Sequence, residues 1–224
     1  MKILALDTAT KRLTLAVSDG TKSGEFNLEV GRKLSGLLEL IIKRVVEAAG
    51  LDLKSIDYFA VGLGPGSFTG MRIGLACVKG LAWALNKPVV GVSTLDILAQ
   101  NVKDEGKQII PAVDAKRDLI YCSVYKISNG KCRRIRPYML VNLKEFLKIA
   151  GRQSVILGDA IGIYKESFLK NIEGVKLLEK ELWWPRAHNL ITLCLDRIKE
   201  KKISNTFNIK PIYLYPKECQ IKNI

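Results

Sequence analysis

Val61-Gly62-Leu63-Gly64-Pro65-Gly66-Ser67-Phe68-Thr69-Gly70-Met71-Arg72-Ile73-Gly74 decides how the rest of the chain is read. The apolar run from Tyr58 to Leu63 predicts a short buried strand, Gly64-Pro65-Gly66 forces a turn, and Ser67 to Leu85 predicts a helix. A strand that runs through a glycine turn into a helix start presents free backbone N–H groups and the positive end of a helix dipole. That is the architecture of an anion or phosphate cradle. Gly64, Gly66, Ser67, Thr69 and Arg72 would be its contacts. Neither Gly-x-x-x-x-Gly-Lys-Ser/Thr nor Gly-x-Gly-x-x-Gly can be read here. The same glycines would equally serve a turn that approaches neighbouring backbone closely. Anion site and tight packing both stand at this point.

Working outward, the first half reads strand 2–7, strand 13–18, strand 24–30, helix 33–49, strand 58–63, helix 67–85, strand 88–92 and helix 94–103. Leu13, Leu15 and Val17 alternate with Thr14, Ala16 and Ser18 at the two-residue period of a sheet, and Asp19-Gly20 supplies a hairpin turn. Leu34, Leu38, Ile41, Val45 and Ala49 recur at helical spacing before Gly50, and Ser93-Thr94-Leu95-Asp96 resembles a capping box. After residue 105 the order starts again. Ile109–Val113 leads to Asp114, Leu119–Ile127 alternates, Ser128-Asn129-Gly130 turns and Arg133–Val141 extends. Leu143–Ala150 is helical, and Val155–Leu157 leads to Gly158. An amphipathic helix occupies about Arg186–Lys202. Asp7 and Asp114 fall at equivalent points, as do Gly64 and Gly158. The periodicity therefore predicts an α/β chain of two βββαβα subdomains, 1–105 and 106–224.

Composition permits this. The chain has 224 residues, enough for one or two domains with real cores. No signal-peptide pattern and no apolar run near the length of a membrane span appears, so a cytoplasmic protein with no membrane contact is expected. Cys77, Cys122, Cys132, Cys194 and Cys219 are scattered without a Cys-x-x-Cys spacing, which predicts reduced, mostly buried thiols and no metal site. Charge divides unevenly along the chain: 13 Lys/Arg against 11 Asp/Glu over residues 1–105, and 23 against 11 over 106–224. Lys131, Arg133, Arg134 and Arg136 form the densest basic cluster. Contact with a polyanion such as RNA is one reading and a solvated face is the other.

Asp7 and Asp114 end the first strands of their halves, Thr8 follows Asp7, and Asp159 comes after a later strand of the second half; it is a family resemblance that would imply nucleotide or metal contact at such positions. However, Asp7-Thr8-Ala9-Thr10 lacks the glycine that lets a phosphate approach a first hairpin. The single histidine, His188, cannot make a paired imidazole site, and no Ser/His or Cys/His arrangement is recognisable. No catalytic residue and no cofactor is therefore assigned. What remains is surface. Leu34, Leu38, Ile41 and Val45 lie on a helix that is apolar over a wide arc, and Gly70, Ile73, Gly74, Ala76 and Cys77 lie on one rich in small residues. Together they predict a helix–helix interface.

Gly64-Pro65-Gly66-Ser67-Phe68-Thr69-Gly70-Met71-Arg72-Ile73-Gly74 resembles the signature of the bacterial TsaB (YeaZ) family, paralogues of TsaD. Ile3-Leu4-Ala5-Leu6-Asp7-Thr8-Ala9-Thr10, Lys79-Gly80-Leu81-Ala82, Gly91-Val92-Ser93-Thr94-Leu95, Val113-Asp114-Ala115-Lys116-Arg117 and Pro211-Ile212-Tyr213-Leu214 match it in order and spacing. The resemblance implies a duplicated ribonuclease H-like fold of the actin, sugar-kinase and Hsp70 superfamily. It also implies a non-catalytic subunit that dimerises when alone and assists a TsaD-like enzyme. That enzyme transfers a threonylcarbamoyl group to the adenosine beside the anticodon of tRNA. A TsaE-like ATPase would join, and tRNA would be met through the complex. One departure stands out: Leu34-Ser35 replaces the His-Ser pair frequent in the family, so any polar role of that histidine is absent. The competing expectation is a metal- and nucleotide-dependent phosphotransferase or hydrolase of the same fold, using Asp7 and Asp114.

Overall fold

The computed structural model describes residues 1–29 and 34–216. Val30 and Lys33, at the ends of two predicted elements, and Cys219 lie outside the described residues. The chain separates into two units, residues 1–101 with 184–211, and 102–183 with 212–224.

In the first unit, β1 (Ile3–Asp7), β2 (Arg12–Ser18), β3 (Ser23–Glu29), β4 (Tyr58–Gly62) and β5 (Val89–Val92) form one sheet in the order β3-β2-β1-β4-β5. The first three strands are antiparallel neighbours, whereas β1, β4 and β5 run parallel. The two-residue period sorts side chains between the faces. Leu4, Leu6, Leu13, Leu15 and Phe59 point to the face covered by α1 (Leu34–Ala48) and α2 (Phe68–Ala84). Ile3, Ala5, Ala16, Ala60 and Val90 point to the other, covered by α6 (Ala187–Lys199) through Ala187, Leu190, Ile191 and Cys194. Between β5 and the second unit lies the short α3 (Thr94–Ala99).

The second unit repeats the order. β6 (Gln108–Lys116), β7 (Leu119–Cys122), β10 (Met139–Asn142), β11 (Val155–Leu157) and β12 (Lys176–Leu177) run β10-β7-β6-β11-β12, with α4 (Leu143–Ile149) and α5 (Ile161–Asn171) over a core of Ile110, Ile120, Phe146, Ile156 and Phe168. The expected long second strand is broken: β7 ends at Cys122, and β8 (Tyr125–Ser128) pairs with the start of β6 and with β9 (Lys131–Arg134). This is the duplicated ribonuclease H-like fold.

The domain boundary and the charge division change. Residues 184–211 belong with the first unit, because α6 buries its apolar stripe against β1 and its neighbours. Arg186 offers no side-chain cap to α6. The Ala187 N–H instead donates to Glu25 Oε1 of β3 (2.9 Å) and Thr14 Oγ1 of β2 (3.1 Å). Counted over these units, Lys and Arg number 18 and Asp and Glu 11 in each, a net charge of +7 apiece. The apparent excess in the second half belongs to a linear cut that the fold does not make.

Candidate functional site

The glycine turn after β4 is a packing joint. Ser67 caps α2 by accepting from the Gly70 N–H (3.2 Å), and its own N–H donates to the Ala9 carbonyl (2.7 Å). The Met71 N–H donates to the Ser67 carbonyl (2.9 Å), and Thr8 Oγ1 donates to the Gly70 carbonyl (2.8 Å). A Cβ at Gly66 would overlap the Ala9 carbonyl, and one at Gly70 the Thr8 carbonyl. Thr8 and Ala9 thus pack directly against the turn, and the N–H groups of Ser67, Gly70 and Met71 are used internally. Gly64, at φ +86°, receives Ser93 Oγ (3.0 Å) and the Thr94 N–H (2.7 Å) on its carbonyl. Thr69 is exposed, and the Arg72 guanidinium lies 3.7 Å from the ring centre of Phe68 on the same helix. The contacts at this turn are those of tight packing.

Asp7 is fully buried. Its Oδ1 accepts from the Ala9 N–H (2.7 Å) and its Oδ2 from the Thr94 hydroxyl (2.6 Å), while that hydroxyl accepts from the Gly64 N–H (3.1 Å). With Asp7 ionised, the Thr94 hydroxyl donates to the carboxylate and accepts from Gly64, using both its capacities. Burial holds the Asp7 carboxyl above the usual aspartate range, against the lowering pull of Thr94 and Ala9. Asp114 repeats the local bond, its Oδ1 accepting from the Lys116 N–H (2.8 Å), and its Oδ2 pairs with Lys116 Nζ. Asp159 Oδ1 accepts from the Asp114 N–H (2.8 Å). Both strand-end aspartates hold backbone in place. Among the described residues no three His, Cys, Asp or Glu side chains converge. His188 is exposed, with Nδ1 3.3 Å from Ser23 Oγ.

The predicted interface residues divide. Leu34, Leu38, Gly70 and Gly74 face inward: the leucines belong to the core under α1, and a Cβ on Gly74 would overlap Thr8 Oγ1. Ile41 and Val45 on α1 and Ile73 and Cys77 on α2 are half-buried, and Ala76 is exposed. Leu40 on α1 is 46% exposed, and Gly80 on α2 has open space around it. The Cys77 thiol is pushed up by burial and by the Glu39 carboxylate of α1. Sequence reasoning missed the network Asp7–Thr94–Gly64–Ser93, since its members are 87 residues apart in the chain at the widest.

Residues 28–178 match the family model of TsaD, tRNA N6-adenosine threonylcarbamoyltransferase. The tRNA threonylcarbamoyladenosine biosynthesis protein TsaB of Escherichia coli (strain K12) is 28% identical over 221 residues, 96% of this chain and 94% of that protein. The chain belongs to the TsaD family, on its TsaB (YeaZ) branch. TsaB of Bacillus subtilis (strain 168) is 29% identical, covering 99% of this chain and 97% of its own. The solved structure of YeaZ from Pseudomonas aeruginosa superposes with a TM-score of 0.82 at 26% identity, over 95% of this chain and 99% of that one. Among the described residues no helix is long and apolar enough to cross a membrane.

Proposed function

We propose that this TsaB-branch chain works in tRNA threonylcarbamoyladenosine biosynthesis as a non-catalytic subunit. A TsaD-like partner carries the transfer from threonylcarbamoyl-adenylate to the adenosine beside the anticodon, and tRNA is met through that complex. The observation that supports the non-catalytic reading is the packed turn: the Ala9 and Thr8 carbonyls lie against Gly66 and Gly70, and Asp7 is buried beneath it. A phosphotransferase built on Asp7 would need that carboxylate exposed to its substrate.

The contact face in this reading is the outward side of α1 and α2: Leu40, Ile41, Val45, Ile73, Ala76, Cys77 and Gly80. Its small residues let another helix approach closely, and its aliphatic ones reward burial, at about 25 cal/mol per Å². A like-folded partner offers matching helices, so the same face serves a homodimer of the isolated chain and a heterodimer with the catalytic subunit. A TsaE-like ATPase joins the assembled pair.

Reconstitution tests this. The TsaD-like subunit of the same organism is assayed for N6-threonylcarbamoyladenosine in tRNA by mass spectrometry, with and without this chain. Product is expected only when both are present, and Ala76→Arg, at an exposed site where folding changes by no more than about 0.5 kcal/mol, should abolish assembly. ATP hydrolysis by the pure chain that Asp7→Ala removes, with the fold intact, would overturn the reading.

A further inference from the structure

Between Asp118 and Glu145 the chain carries Lys126, Lys131, Arg133, Arg134, Arg136 and Lys144 and no carboxylate side chain. Five of these cations sit on or just beyond the β8–β9 hairpin, and all five are exposed. The register places Lys126 directly opposite Arg133, and residues opposite one another in an antiparallel pair share a face. Lys131 lies on that face as well, two positions from Arg133. Like charges directly opposite destabilise a hairpin. Among the described residues no ion pair relieves them: the neighbouring Glu105 accepts from the Gly130 N–H at the tip (3.1 Å), and Asp104 is held by Lys176 (2.7 Å).

The backbone turns this hairpin aside from the sheet. The Val124 carbonyl accepts from both the Ile135 N–H (2.7 Å) and the Arg136 N–H (3.3 Å), and Ser123 Oγ donates to the Arg136 carbonyl (2.8 Å), which separates β8–β9 from β7–β10. Such bulges bend a strand and re-aim its side chains. The Arg134 guanidinium lies over the Tyr138 ring, 3.9 Å from its centre, and the residue is exposed. In the first unit the matching connection from β2 to β3 is a tight turn in which Asp19 accepts from the N–H groups of Thr21 and Lys22, and β3 carries Glu25 and Glu29. The basic hairpin is peculiar to the second unit.

We propose that the β8–β9 hairpin is a contact for the phosphate backbone of RNA, made through Lys126, Lys131 and Arg133 on its open face and Arg134 and Arg136 at its base. It reads no base, because that face offers cations and Ser128 and no exposed aromatic ring. The repulsion between Lys126 and Arg133 is an arrangement that a polyanion relieves. This inference rests on the reading of the chain as a tRNA-modification subunit.

The test uses the full chain with its TsaD-like subunit, fluorescently labelled tRNA, and anisotropy titrations from about 50 to about 200 mM KCl. Each phosphate neutralised adds roughly 0.7–0.9 to the slope of log affinity against log salt, so the triple variant Lys126→Ala, Lys131→Ala, Arg133→Ala should lower the slope by roughly 2–3. Removing three mutually repelling cations should leave the melting temperature unchanged or raise it, an outcome that loss of structure would not give. An unchanged slope in a folded variant overturns the proposal. So does an unchanged slope accompanied by weaker assembly with the TsaD-like subunit, which would assign the hairpin to an acidic protein surface. Wild-type product formation, measured in parallel, separates the two readings: product with an unchanged variant slope sinks the hairpin alone, whereas no product sinks the function. In that case the same slope comparison on the chain by itself decides the hairpin.

Discussion

The two units share a strand order and differ in what they do with the end of the first strand. In the first, Asp7 lies under the glycine turn, bonded to Ala9 and Thr94 and shut off from water. In the second, Asp114 makes the same bond to the N–H two residues on, but its other oxygen meets the exposed Lys116, and the residues that follow, Lys116, Arg117 and Asp118, all turn through positive φ. One backbone device therefore serves a sealed joint in one unit and a surface turn in the other. A duplicated fold preserves the register of a residue without preserving its chemistry, and equivalence by position does not license equivalence by role.

The largest expected effect comes from forcing the sealed joint open. Gly70→Val places side-chain atoms where the Thr8 carbonyl sits, and should cost about 3 kcal/mol or more in urea unfolding. On the same helix, Gly80→Ala meets open space and should stabilise by about 0.5–1 kcal/mol. If both changes cost the same, the contrast between joint and surface fails.

Next come the aspartates themselves. Asp7→Ala strands the Thr94 hydroxyl and the Ala9 N–H in the interior and should cost about 2–3 kcal/mol, whereas Asp114→Ala, whose carboxylate partners both belong to the exposed Lys116 and can turn to water, should cost only about 1 kcal/mol. Equal penalties, measured under the same conditions, would erase the distinction.

A pH series sharpens it. Burial raises the folded pKa of Asp7, so its protonated form favours the folded state, and the contribution is lost as pH rises through the raised value. Wild type should therefore gain on Asp7→Asn as pH falls from neutrality toward the ordinary aspartate range near pH ~4. The lowered pKa of Asp104, hydrogen-bonded to Lys176, runs the other way: its contribution is present above the unfolded pKa and fades as pH falls through the folded one. A wild-type minus Asp7→Asn difference that is flat with pH would remove burial as the cause.

The most local effect concerns the helix that only the first unit borrows from the end of the chain. Glu25→Ala takes away one acceptor of the Ala187 N–H and should cost about 1 kcal/mol, read as faster amide exchange at the start of α6. Protection unchanged there would show that Thr14 alone suffices.

Much of this was legible in the residues. Alternation at Leu13, Leu15 and Val17 placed β2, and the Gly64 turn placed β4 and α2, because these signals are local. The break after Cys122 was not legible, since Leu119–Ile127 alternates without interruption and the bulge depends on where Val124 meets Ile135 and Arg136 across the sheet. Helix α5 carries no clear stripe in its own sequence, and was not anticipated. For α6 the stripe was plain, but nothing in an amphipathic helix says which sheet it will cover. The exposed sides of α1 and α2 were blurred for a related reason: periodicity groups Leu34 with Ile41 and Gly70 with Ala76, and it takes the position of Thr8 and the core to tell the inner member from the outer.

The attachment of α6 to the first unit sets an order of events during synthesis. Strands β1 to β5 leave the ribosome early, but the face bearing Ile3, Ala5, Ala16, Ala60 and Val90 stays uncovered until Ala187 to Cys194 have been made. All of residues 102–183 must be translated in between, a wait of roughly 5–15 s at about 5–20 residues per second. During that interval the earliest part of the chain is the least finished, and its small apolar side chains are what a nascent-chain chaperone would find. Protease sensitivity of stalled chains should fall abruptly once α6 clears the exit tunnel, and a chain stalled at residue 183 should remain cleavable within the first unit however long it is left.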